Sequence, residues 1–287
     1  MIIDTLGGVR GEAIAGSLPG MPAPSVAGLF DSEVGRQPPR SSHGSVTCMP
    51  QPLPHITSIR DFMVFEQHVK NARGRRGLEV PAEWYEGPTF YFTNCAAGVL
   101  FPDGIDVPRP SYTSRLDFEL ELACVIGTGG RNISVDDAEQ HIAGFTIYND
   151  WSARDVQRRE MAVGLGPSKG KDFAQSLGPH LVTPEELKQL RVGRGRYACA
   201  MTCSINGTVV SAGNARDMRW DFAELIAHAS QDVALEPGDV LGSGTVGTGC
   251  LLELGPDVHR WLEPGDVVAM NIAGIGTLTN RVIDAVT

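Results

Sequence analysis

Acidic residues recur in this chain at spacings that could gather them around a metal ion. The run Arg115-Leu-Asp-Phe-Glu-Leu-Glu-Leu-Ala-Cys-Val-Ile-Gly127 alternates polar and apolar residues over its first half. Residues two apart on a strand share a face. Asp117, Glu119 and Glu121 therefore line one side, and Leu116, Phe118, Leu120 and Leu122 the other. Alone, such a face reads as a solvated one. This strand, however, continues into Ala-Cys-Val-Ile and so enters a core. Asp150 closes a second apolar run, residues 144–150, as a ligand on a strand end would. Carboxylates gathered in a partly buried site repel one another unless a cation neutralises them. An all-oxygen set favours a hard divalent ion: Mg2+ first, with Ca2+ or Mn2+ as alternatives.

Asp61 and His68 stand seven residues apart in a segment, residues 58–72, that reads as a helix. Ser58 with Asp61 three residues on has the form of a capping box. On one helix the two side chains would project from the same face, about 10 Å apart along the axis. That is too far for one ion. It suits the two ends of a small substrate, one at the metal and one at an activated water. The plainer readings are a capping acid and a structural histidine.

The elements that must position these groups are mostly strands. Residues 115–127 form one by their alternation. Short helices are expected from Ser134 to Ile142, from Thr183 with Pro184 at its first turn, and over residues 219–230. Most of the remainder is short apolar runs broken by glycine. The hexapeptide Leu-Glu-Pro-Gly-Asp-Val occurs twice, at 235–240 and 262–267, and reads as two similar tight turns that each feed a strand. Gly242-Ser-Gly-Thr-Val-Gly247 fits a dinucleotide-binding pattern. The residues after it, Cys250 to Leu254, read as a strand rather than a helix, so that reading is set aside. His43, His55, His141, His180, His228 and His259 show no metal-ligand spacing.

Bulk composition narrows the rest. Residues 19–54 hold eight of the chain's nineteen prolines. Residues 1–54 are thus read as a short N-terminal segment with a proline-rich arm, and 55–287 as the main domain. A formal net charge of −10, with no basic run, argues against nucleic acid and anionic membrane as partners. No apolar run reaches membrane length. Asp4, Arg10 and Glu12 interrupt any signal-like core. The six cysteines are scattered without a CxxC pair and read as buried thiols. A cytoplasmic protein is expected.

Asp61-(six residues)-His68, Glu119-Leu-Glu121, Asn149-Asp-Trp-Ser-Ala-Arg-Asp-Val-Gln157, Gly170-Lys171 and Ser243-Gly-Thr245 occur in that order. Together they resemble the fumarylacetoacetate hydrolase family, over roughly residues 58–280, and the segment 149–157 is the most specific part. The resemblance implies a β-rich α+β fold, a β-roll with peripheral helices that usually forms a homodimer. It implies Asp61, Glu119, Glu121 and Asp150 as ligands of one divalent cation. His68 would be the general base for water, oriented by Glu253. Arg154, Gln157 and Lys171 would stabilise an oxyanion, and Tyr91 and Thr245 would contact the substrate.

The activity implied is hydrolysis of a carbon–carbon bond in a small β-diketone or acylpyruvate. The rival is decarboxylation, tautomerisation or hydration of a keto acid on the same metal. Small members do such chemistry without the His68-type base. A non-catalytic metal-binding protein is the remaining alternative. The chain departs from the mammalian pattern at Met63 and Met161, which stand where substrate-contacting tyrosines are expected. The carboxylate-binding arginine has no clear counterpart, with Arg73, Arg75 and Arg76 as nearby candidates. A substrate other than fumarylacetoacetate itself is implied.

Overall fold

The computed structural model describes residues 54–75 and 77–285. The proline-rich arm up to residue 53, with His43, and the candidate Arg76 lie outside the described residues. In chain order the strands are β1 (Ser58–Phe62), β2 (Phe90–Thr93), β3 (Val107–Pro108), β4 (Leu116–Asp117), β5 (Leu120–Ile126), β6 (Ile142–Asp150), β7 (Ser152–Ala153) and β8 (Gln175–Val182). After them come β9 (Arg191–Gly193), β10 (Arg196–Tyr197), β11 (Ala200–Ile205), β12 (Thr208–Asn214), β13 (Asp239–Gly242), β14 (Val267–Ile272) and β15 (Gly276–Ile283). The α-helices are α1 (Glu66–Gly74), α2 (Arg154–Val163), α3 (Phe222–Ala229) and α4 (Leu251–Leu254). The strand-rich α+β class expected from the sequence is what forms.

One six-stranded sheet runs in the order β2-β1-β13-β5-β6-β8. Its β1–β13 pair is parallel and the others are antiparallel. A five-stranded sheet, β12-β11-β14-β15-β3, packs β11, β14 and β15 against β5, β6 and β8 of the first. β5 lies inside the first sheet, and all seven of its residues are buried. A strand covered on both faces needs apolar side chains on both, which its Leu-Ala-Cys-Val-Ile stretch supplies. Burying side chains such as Leu120 and Leu122 stabilises the fold by about 1.5–3 kcal/mol each. Both copies of the repeated hexapeptide are turns, and they lead into β13 and β14. α3 starts at Asp221 with a reciprocal capping box: Glu224 N–H donates to Asp221 at 3.0 Å, and Asp221 N–H donates to the Glu224 carboxylate at 2.7 Å. Cys124, Cys199, Cys203 and Cys250 are buried free thiols, as read from the sequence, and Cys95 is half-buried.

Several local expectations are corrected. Residues 58–72 are not one helix: Ser58 to Phe62 form β1, and α1 begins only at Glu66. Asp61 and His68 are therefore on different elements. The alternating run 115–127 breaks at Phe118 and Glu119, between β4 and β5. Cys250 to Leu254 holds the short helix α4 in place of a strand. The helices expected after Ser134 and Thr183 shrink to turns followed by 3-10 segments, Ala138–His141 and Lys188–Leu190. Segments this short gain too few hydrogen bonds to carry an α-helix by themselves.

Candidate active site

Three strands and one break in pairing gather the acids. Asp61 lies on β1, paired to Gly242 of β13 on one side and to Tyr91 of β2 on the other. Glu121 lies on β5 opposite Tyr148, and Asp150 ends β6 opposite Gln175 of β8. Glu119 sits in the break before β5, where its N–H donates to Asn149 Oδ1 at 3.0 Å. All four acids are buried, and one carboxylate oxygen from each lies within 4.8 Å of the other three.

Space for them comes from a glycine. A Cβ on Gly242 would stand 2.7 Å from Asp61 Oδ1 and 2.9 Å from Glu121 Oε2. Gly244 follows in the left-handed region (φ +75°), and its N–H donates to Glu121 Oε2 at 2.9 Å. In the sequence this stretch carries a dinucleotide-like pattern and the Ser243-Gly-Thr245 motif, and neither marks Gly242 as the residue that makes room for the acids. Gly242→Ala is expected to weaken Mg2+ binding about 10- to 100-fold, the scale on which outer supports of a metal site act. Calorimetric titration of the folded variant measures it, and unchanged affinity would remove Gly242 from the site.

The cluster is electrostatically uneven. Burial would raise the Glu119 carboxyl. The Lys171 ammonium at 2.7 Å from Oε2 and the Arg154 guanidinium at 2.7 Å from Oε1 outweigh it and hold the group at about 2. Lys171 also pairs closely with Asp150 Oδ2, which receives the Tyr91 hydroxyl as well. Asp61 and Glu121 have no such cation. Burial first, and then the neighbouring carboxylates, push both well above the carboxylate range. Asp150 is raised too, by burial, against the pull of Lys171.

Three buried oxygens of the cluster, Asp61 Oδ1, Glu121 Oε1 and Asp150 Oδ1, have no hydrogen-bond partner. Unpartnered buried acceptors on repelling carboxylates are the complement of a hard cation. The donor set, all oxygen, is the type that takes Mg2+, Mn2+ or Ca2+.

Beside the acids stands a histidine–carboxylate pair. α1 carries His68 and α4 carries Glu253, and His68 Nδ1 lies 2.6 Å from Glu253 Oε1, both buried. Glu253 Oε2 accepts from Asn71 Nδ2 and from the Thr248 N–H, each at 2.8 Å. These donors mark Glu253 as an acceptor, which assigns the His68 proton to Nδ1 and leaves Nε2 as a base. The His68 ring lies within electrostatic reach of Glu119, which puts the pair beside the acids.

Arg154 is held at three points: Nε to Asp117 at 2.7 Å, Nη2 to Glu119 at 2.7 Å and Nη1 to Gln157 Oε1 at 2.9 Å. Gln157 keeps its amide N–H2 as a donor, and Lys171 keeps one N–H. Thr245 is buried, with its hydroxyl 3.5 Å from Leu120 O. Met63 and Met161 are exposed. Arg73 and Arg75 are committed to backbone carbonyls: Arg73 to Glu79 O, and Arg75 to Glu253 O and Leu254 O, at 2.6, 2.7 and 2.8 Å. Each keeps N–H donors beyond these contacts, so the two stay candidates for a substrate carboxylate. Sequence reasoning also passed over Asn71, whose place one turn past His68 was its only signal.

Residues 57–283 match the family model described as "Fumarylacetoacetate (FAA) hydrolase C-terminal". The chain belongs to the fumarylacetoacetate hydrolase family. Its similarity to a fumarylacetoacetase of Arabidopsis thaliana is 30% identity over 249 residues, covering 69% of this chain and 58% of that protein. Its similarity to an oxaloacetate tautomerase of Bacillus subtilis is 37% over 177 residues, covering 59% and 53%. The matched part thus spans little more than half of either relative. Among solved structures, a fumarylpyruvate hydrolase from Pseudomonas aeruginosa, in complex with Mn2+ and pyruvate, superposes with a TM-score of 0.65 at 26% identity, covering 84% of this chain and 94% of that one. The fold is that of the fumarylacetoacetate hydrolase family, and the acidic cluster together with that complex supports a divalent cation. Among the described residues no helix is long and apolar enough to cross a membrane.

Proposed function

We propose that residues 55–287 form a metal-dependent hydrolase that cleaves a carbon–carbon bond in a β-diketone of the acylpyruvate type. The observation that carries this reading is the buried His68–Glu253 pair beside the four-acid cluster. A divalent ion held by Asp61, Glu119, Glu121 and Asp150, Mg2+ by preference, would act as a Lewis acid on the substrate's carbonyl oxygens.

The chain's own residues supply the rest. His68 Nε2 takes a proton from water as the water oxygen bonds to one carbonyl carbon. Glu253 keeps the ring oriented and steadies its positive charge. The free donors of Gln157, Arg154 and Lys171 hold the oxygen that becomes negative, each worth a few kcal/mol, on the order of 2.7–4. The carbon–carbon bond then breaks, and its electron pair stays on the carbon next to the second ketone. That carbon recovers the proton from His68, which leaves a carboxylic acid and a ketone. Tyr91 and Thr245 are assigned to substrate contact. Exposed Met63 and Met161 offer no hydroxyl, which favours a substrate less polar at that end than fumarylacetoacetate.

The 37% identity to an oxaloacetate tautomerase favours a second reading, tautomerisation of a keto acid. One experiment separates them. Purified protein with Mg2+ is offered acylpyruvates and oxaloacetate in parallel. Release of a carboxylic acid from the acylpyruvate, abolished by EDTA, is the expected result. Keto–enol exchange of oxaloacetate with no acylpyruvate cleavage would replace hydrolysis by the second reading.

A further inference from the structure

Asp117 was grouped by its spacing with Glu119 and Glu121, yet it lies outside the four-acid cluster. It is fully buried, and both of its oxygens are used twice. Oδ1 accepts from the N–H groups of Phe118 and Leu251, each at 2.8 Å. Oδ2 accepts from Leu252 N–H at 3.0 Å and from Arg154 Nε at 2.7 Å. Leu251 and Leu252 open α4, whose next residue is Glu253. Arg154 pairs in turn with Glu119. One carboxylate therefore links the element that holds His68 to the cation that holds Glu119.

α4 needs such a tether. It has four residues, far below the length at which a helix sustains itself. Arg75 ties its carbonyl end, through Glu253 O and Leu254 O, and Asp117 ties its N–H end. A neutral side chain could satisfy those N–H groups, and a nearby anion could satisfy Arg154. Asp117 does both at once. Buried ion pairs add little stability compared with apolar replacements, so stability gives a weak reason for a charge here.

We propose that Asp117 is a positioning residue that fixes the His68–Glu253 pair in register with the acidic cluster, by tying the start of α4 to Arg154. It touches neither substrate nor the proposed base. The inference rests on the hydrolase reading only for its kinetic readout; its decisive readout is spectroscopic.

The test is Asp117→Asn, which keeps the shape but gives one position an N–H2 that cannot accept from Arg154 or Leu252. In the metal-loaded wild-type protein, the His68 Nδ1 proton, assigned by its loss in His68→Ala, is expected far downfield in the 1H–15N spectrum. In Asp117→Asn that signal is expected to move upfield or vanish into exchange, although Asp117 does not touch His68. At saturating Mg2+, kcat for diketone cleavage is expected to fall about 10- to 100-fold with KM little changed, as when an outer support of a site is lost. An unmoved His68 signal overturns the proposal, whatever happens to kcat or Tm, because a merely structural Asp117 would lower Tm alone. If the wild-type protein cleaves no diketone, the hydrolase reading fails and the spectrum still decides this one. Should Asp117→Asn not fold, the same signal is read in Asp117→Glu, where the charge remains and the extra methylene displaces α4.

Discussion

Glu121→Gln is expected to make the metal-free protein more stable and to disable it in the same step. Glu121 faces Asp61 and Asp150 with no cation of its own, and burial and those carboxylates raise it strongly. A glutamine removes that repulsion. Its N–H2 can also donate to Asp61 Oδ1 or Asp150 Oδ1, both without partners. Its oxygen can still accept from the Gly244 N–H. A relieved buried charge and one new hydrogen bond are worth about 1–3 kcal/mol, or roughly 2–10 °C in Tm. Metal affinity should fall by at least about 100-fold, since a ligand is lost rather than its outer support. Thermal unfolding in EDTA and calorimetry with Mg2+ read the two effects. A lower metal-free Tm with affinity intact would remove Glu121 from the metal site. The sign of the pH dependence follows from the same groups. Asp61 and Glu121 are raised well above the carboxylate range, so a cation must displace protons that the metal-free site favours there. Binding is therefore expected to release protons and to weaken as pH falls.

His68→Ala should abolish diketone cleavage while leaving the metal in place. The ring nitrogen that faces Glu253 is not a member of the four-acid cluster, and His68 stands on α1, not on the strand that bears Asp61. Removing a general base costs about 100- to 10,000-fold in kcat. Mg2+ affinity should change little by comparison. Glu253→Gln should lie between wild type and His68→Ala, because the imidazole remains but loses its anionic partner. The measurement is single-substrate kinetics on an acylpyruvate with parallel Mg2+ titration. Unchanged turnover in His68→Ala would sink the hydrolytic role and leave the metal-only chemistry of a tautomerase or decarboxylase.

Glu119, Glu121 and Asp150 were legible as a candidate group because carboxylates on a strand that enters a core are costly to bury, whereas the roles of Asp61, His68 and Glu253 came from the resemblance to the family. Strand β5 was legible from the alternation of residues 115–127, and α3 falls inside the helix expected over 219–230. The helix assigned over 58–72 failed for a specific reason. Ile59, Phe62, Phe65 and Val69 are all buried, and their spacing of three and four mimics a helical face across what are two elements. What makes 58–62 a strand is its pairing with β13, about 180 residues later, which local pattern cannot contain. α4 was missed in the same way: its capping acid, Asp117, lies far upstream of it. At the break, side-chain oxygens take the two N–H groups: Asp117 Oδ1 that of Phe118 and Asn149 Oδ1 that of Glu119, and only the first is local.

That placement of β13 has a consequence for how the protein is made. The sheet order sets β13 between β1 and β5, so the two strands bearing Asp61 and Glu121 meet only through a segment translated long after both. During synthesis, the early strands wait with their edges unpaired, and the four-acid cluster cannot form until Gly242 has emerged. Glu253 follows a few residues later, so the acidic cluster and the His68–Glu253 pair are completed together, long after Asp61 and His68 have been made. A chain whose key pairings span this much sequence is expected to fold slowly, and its half-made form presents the exposed strand edges on which aggregation starts.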